Sequence, residues 1–147
     1  MKTNLLIVLM ILTTTSFAGS TNIELDCSSN SGRTKLSGNI PGDEYSYNVS
    51  FSIDSNKIVF KNLADLASVE AYEALSDGIF SLKLSNYETH EFLSMHALPQ
   101  TVKFKQEGLY GNWSSTFQAK IISTTHPNKN KRWAPVVILN CSASYFL

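Results

Sequence analysis

Apolar residues recur at every second position through most of this chain, and that period constrains the fold more than any other feature. In "NIELDC" Ile23, Leu25 and Cys27 share one parity, with Glu24 and Asp26 on the other. "EYSYNVSFSI" puts Tyr45, Tyr47, Val49, Phe51 and Ile53 against Ser46, Asn48, Ser50 and Ser52. "IFSLKLS", "TVKFK" and "TFQAKIIS" repeat the pattern through Phe80, Leu82, Leu84, Val102, Phe104, Phe117, Ala119 and Ile121. "VVILNCSASYFL" ends the chain with Val137, Leu139, Cys141, Ala143 and Tyr145 on one parity. A period of two is that of a strand with one buried face.

Between these runs stand "SSNSGR", "IPGDE", "DSNK" and "SDG", short clusters of turn-forming residues. Connections so short favour antiparallel neighbours, because a parallel crossover takes a dozen or more residues. The expected fold is an all-β antiparallel meander of about eight or nine strands, forming a small barrel or a two-layer sandwich. One stretch, "NLADLASVEAYEALSDG", reads two ways. Asn62 as a cap, Gly78 as a stop and a stripe through Leu63, Leu66, Ala67, Ala71, Ala74 and Leu75 predict a short helix near 62–75. A strand from Val69 to Leu75, turned by Ser76-Asp77-Gly78, is the competing reading, and it places Glu73 inward.

Residues 1–18 carry Lys2, an apolar run from Leu5 to Leu12, and small residues at Ser16 and Ala18. That is the layout of a secretory signal cleaved after Ala18 or a residue or two later. The apolar run is under half of the roughly 20 residues that cross a bilayer, so no membrane anchor is expected in the mature chain. Residues 19–147 then form a single β domain, and the expected location is the periplasm or the exterior. Cys27 and Cys141, the only cysteines, are expected to pair in such a compartment. Lying on the first and last strands, they are expected to join the edges of a closed or nearly closed sheet.

Charge narrows the partners. Twelve basic and twelve acidic side chains give a formal charge of zero, and loss of Lys2 leaves −1. Nucleic acid and anionic membranes call for a basic excess, so neither is expected as the main partner. A metal or other cofactor is not expected either. His90 and His96 in "HEFLSMH" are six apart instead of the four of a zinc HExxH helix. On a strand that is about 20 Å. His126 stands apart from both. No G-x-S-x-G elbow occurs, and the acids Asp43, Glu44, Glu88 and Glu91 sit at turns and strand starts, so no enzymatic chemistry is expected.

Asn48, Asn112 and Asn140 open N-x-S triplets, of which outward-facing Asn48 is the best acceptor in a eukaryotic secretory route. Gly111-Asn112-Trp113 resembles the Gly-x-Trp element of lipocalins, although it precedes the penultimate strand instead of opening the first. A lipocalin-like ligand-binding barrel is therefore one alternative reading. Bulky inward rings at Tyr45, Tyr47, Phe51, Phe80, Phe117 and Tyr145 oppose it, since they would fill a small barrel. A small outer-membrane β-barrel is another, because the closing alternation resembles the last strand of those proteins. Most distinctive is "HPNKNKRWAP" (126–135), where Lys129, Lys131, Arg132 and Trp133 form a candidate recognition loop. Positive charge would meet an anionic partner, with Trp133 as a rigid anchor. These features predict a non-catalytic exported domain that binds a protein or envelope component, or acts as an inhibitor.

Overall fold

The structure, a computed structural model, describes residues 22–41, 47–61, 67–108, 111–132 and 135–146. The expected signal segment, Tyr45, Asn62, Leu63, Leu66 and Trp133 lie outside the described residues. Ten strands follow one another: β1 (Asn22–Ser28), β2 (Thr34–Pro41), β3 (Asn48–Ile53), β4 (Asn56–Lys61) and β5 (Ala67–Ala74). Then come β6 (Ile79–Asn86), β7 (Glu91–Ala97), β8 (Lys103–Gln106), β9 (Trp113–Ser123) and β10 (Val136–Phe146). All pairings are antiparallel, in the order β4-β3-β2-β1-β10-β9-β7-β6-β5, with β8 beside β9. The chain is the expected all-β meander, with the sheet curled into a half-barrel.

Chain length forces the curl. Only five residues separate Lys61 from Ala67, so about 22 Å at most can lie between β4 and β5. Laid flat, the nine strands on the sheet path would put those two about 38 Å apart. Curling resolves the conflict, and β4 accordingly touches β6, the strand that β5 pairs with. Every step along the path reverses direction, so β4 and β5 run in the same sense. β7 and β8 also share a sense, pairing with successive halves of the eleven-residue β9. A one-turn 3₁₀ segment at Pro99–Thr101 interrupts that run.

Parity decides the core. Leu25, Leu36, Val49, Phe51, Phe60, Phe80, Leu82, Leu84, Leu93, Met95, Ala119, Ile121 and Leu139 are all buried on the concave side. The intervening residues, such as Asp26, Lys35, Lys57, Lys83 and Lys120, are exposed on the convex side. Gly38, on the inward parity of β2, sits where backbones approach closely. A Cβ there would overlap the Asn48 carbonyl, so no larger residue fits this register. Phe104 packs at 5.9 Å against Trp113, which stacks at 6.0 Å on Tyr145 and closes the core where β9 begins.

Two expectations are corrected. Ala67–Ala74 forms no helix; it pairs with β6 over eight positions, from Ala67↔Asn86 to Ala74↔Ile79. Tertiary pairing outweighs the helix propensity of its alanines and glutamates. Gly78, at φ 79°, turns the hairpin after one 3₁₀ turn at Leu75–Asp77. Glu73 does share the inward parity, opposite Phe80. It lies at the strand end, exposed, and its Oε1 accepts the Leu75 N–H at 2.8 Å.

The second correction concerns the cysteines. Cys27 and Cys141 are disulfide-bonded as expected, 114 residues apart and in direct register. They do not join sheet edges, though. β1 and β10 are hydrogen-bonded neighbours in the middle of the sheet path, whose ends are β4 and β5. Parity reveals which face a residue occupies and leaves its neighbouring strand unspecified.

Candidate recognition surface

Four described connections gather at one end of the half-barrel: the β1–β2 turn, the β3–β4 turn, the β9–β10 loop and the β6–β7 turn. Arg33, from the first, donates from Nε to Asp54 Oδ1, in the second, at 2.6 Å. Asp54 takes the left-handed conformation, φ 56°, that a two-residue hairpin turn needs, and its N–H donates to the Arg33 carbonyl. The Arg33 guanidinium holds the Asp54 carboxyl below its ordinary range, and the positive field of Lys131 adds to this. The β9–β10 loop therefore leans over the β3–β4 turn.

Inside that loop, local hydrogen bonds take the place of a regular element. His126 is buried, and its Nδ1 accepts the Asn128 N–H at 3.0 Å. Asn128 in turn accepts from Asn130 N–H through its side chain and from Lys131 N–H through its carbonyl. These bonds leave Lys129, Lys131 and Arg132 exposed. Three exposed cations thus stand in the loop, at the same end of the sheet as Arg33 and Lys35, and Lys131 is close enough to act on Asp54.

Beneath the loop, the convex wall is apolar. Val136 and Ile138 are each 58% exposed, and Ile122, directly opposite Val136, is 40% exposed. Lys120 stands opposite Ile138. The rest of that wall is polar. A shallow groove of about 540 Å³ is lined by Asp26, Ser28, Lys103, Gln118 and Asn140 among others. There Gln118 Nε2 donates to Asn140 Oδ1 at 3.2 Å, and Asn140 Nδ2 donates to Asn30 Oδ1 at 2.7 Å.

The structure keeps the three histidines in separate settings. His90 lies in the β6–β7 turn, His96 faces outward opposite Lys120, and His126 is bound into its loop. Among the described residues, no group of three or more His, Cys, Asp or Glu side chains is placed to hold a metal ion. Glu88 lies in the β6–β7 turn, and Glu91 opens β7. There Asn86 Oδ1 accepts the Glu88 and Thr89 N–H groups, and Thr89 Oγ1 donates to Glu91. No described helix is long and apolar enough to cross a membrane. The disulfide is compatible with an oxidising compartment.

The apolar exposure of Ile122, Val136 and Ile138 is the feature that sequence reasoning missed. The signal was present: inward parity at Val137 and Leu139 places Val136 and Ile138 outside. Comparisons with protein-family models, curated proteins and solved structures give no match for this chain.

Proposed function

We propose that this protein is a non-catalytic exported domain, periplasmic or secreted, that binds an anionic protein or envelope partner. The binding surface is the β9–β10 loop, with Lys129, Lys131, Arg132 and Trp133. The observation that carries this reading is the joint exposure of three loop cations and three aliphatic side chains on one outer wall. Scattered apolar exposure is ordinary, whereas an adjoining pair such as Ile122 and Val136 beside fixed charge marks an interaction site.

The packed concave side favours an outer surface over a lipocalin-like cavity. A side chain lining a water-sized void keeps accessible surface. Phe51, Phe60, Phe80, Leu82, Met95 and Ile121 each keep less than 2%. The burial pattern likewise opposes an outer-membrane barrel, whose apolar residues face outward to lipid. Here lysines, serines and asparagines hold most outward positions.

Capture from the native envelope fraction tests the reading, with wild-type protein compared to a Lys129→Glu/Lys131→Glu/Arg132→Glu variant. A Glu24→Lys/Asp26→Lys variant on the β1 wall serves as control. The reading expects a partner retained by wild type and control, weakened by salt, and lost with the loop variant. The same partner recovered equally by all three would reject it.

A further inference from the structure

β10 is longer than β1, the strand on one side of it. Its pairing with β9 begins at Val136, but its ladder with β1 stops at Ser28↔Asn140. Residues 136–139 are therefore paired on one side only.

The disulfide pair reveals which backbone groups face the vacant side. The Cα atoms of Cys27 and Cys141 are 4.0 Å apart. Such closeness marks a non-hydrogen-bonded pair, about 4.5 Å in an antiparallel ladder against about 5.5 Å for a hydrogen-bonded one. Cys141 thus turns its N–H and C=O toward β9, and the alternation turns those of Ser142 and Asn140 toward β1. Two residues further along each time, Ile138 and Val136 aim their N–H and C=O groups where β1 no longer runs. Among the described residues, no turn or loop hydrogen bond reaches them.

Proteins usually blunt such an edge with a charge, a proline or a bulge. Within "VVIL" (136–139) there is none, and the side chains of Val136 and Ile138 are more than half exposed. Charge stands at the end of the edge instead: Lys129, Lys131 and Arg132 in the loop leading into β10.

We propose that the 136–139 edge of β10 accepts an extended acidic segment of a protein partner by strand addition. Main-chain bonds to Val136 and Ile138 hold the segment. Its outward apolar side chains cover Val136 and Ile138, and its carboxylates, at the end that reaches the loop, face Lys129, Lys131 and Arg132. This mode rests on the loop being the recognition surface, and it adds the backbone edge and the partner's conformation.

The test uses the full chain and a synthetic eight-residue peptide of four valines joined to four glutamates. Amide exchange is followed by NMR. In the free protein, Val136 and Ile138 amides should exchange at least tenfold faster than those of Val137 and Leu139. Saturating peptide should slow them at least tenfold. Peptides N-methylated along one edge or the other should include one that binds at least tenfold more weakly, as should a valine–lysine peptide. Ile138→Pro, which removes a donor that the fold does not use, should also weaken binding tenfold.

Equal binding of both N-methylated peptides, with loop charge reversal still abolishing binding, would overturn strand addition and leave the loop reading standing. Binding unaffected by any of these changes would overturn both. The proposal also fails if the valine–glutamate peptide does not bind, if the two amides are already protected in monomeric protein, or if this edge pairs two copies of the chain in solution.

Discussion

The Sγ of Cys27 lies 3.9 Å from the Sδ of Met95, on a strand three positions away along the sheet. On a flat sheet that separation would be about 14 Å. Curling brings the two sulfurs together. A disulfide sulfur has no proton to donate, so this contact is packing, and Met95 is fully buried in making it. Met95→Ala should cost about 2–5 kcal/mol in urea denaturation, the range for emptying a well-packed core site.

Reduction of the disulfide acts on the same spot through the unfolded chain. A loop closed across 114 residues contributes roughly 4–5 kcal/mol in the chain-entropy account. Because β1 and β10 are hydrogen-bonded neighbours, the reduced protein should still fold. Its thermal midpoint should fall on the order of 10 °C. A scan with and without reductant checks this.

Tyr47 is buried, and its hydroxyl has no hydrogen-bond partner among the described residues. Burial, and then the nearby Tyr87, push its pKa above the ordinary 10.0. A raised acid contributes stability that is complete below its unfolded value and lost as pH rises through the folded one. Wild-type protein should therefore lose stability above pH 10, and Tyr47→Phe should lose less. Near neutral pH the variant should be equal to wild type or up to about 1 kcal/mol more stable, since an unpaired polar group is removed. Chemical denaturation at both pH values makes the comparison.

At the loop end, Asp54 titrates in the opposite sense. Its folded pKa lies below the ordinary 3.8, chiefly through the Arg33 hydrogen bond. The stability it contributes is present above the unfolded value and lost as pH falls through the folded one. Both side chains are largely exposed, so the effect is small. Asp54→Asn, which keeps a residue suited to the left-handed turn, should melt slightly below wild type at neutral pH. The two curves should converge as the pH falls through the lowered folded pKa.

The period of two made the strands and their inward faces legible. Leu25, Val49, Phe51, Phe80, Phe117, Leu139 and Cys141 are buried as their parity requires. Parity is blind to neighbours, so the insertion of β10 between β1 and β9 could not be read, nor the shared sense of β4 and β5. Local propensity left Ala67–Ala74 open between helix and strand, and a partner strand decided for the strand. The loop cations were visible as a charge cluster. The aliphatic patch below them was legible too, since the parity that buries Leu139 puts Val136 and Ile138 outside. Its free edge depends on where β1 ends, which is a property of pairing and not of composition.

NMR chemical-shift mapping with the partner captured by wild-type protein shows whether recognition occurs on the outer wall at the basic end, over a packed core. Shifts are expected at Lys120, Ile122, Lys129, Lys131, Arg132, Val136 and Ile138, with Phe51, Phe80 and Met95 unmoved. Shifts concentrated on Phe51, Phe80 and Met95, with the loop unmoved, would contradict it.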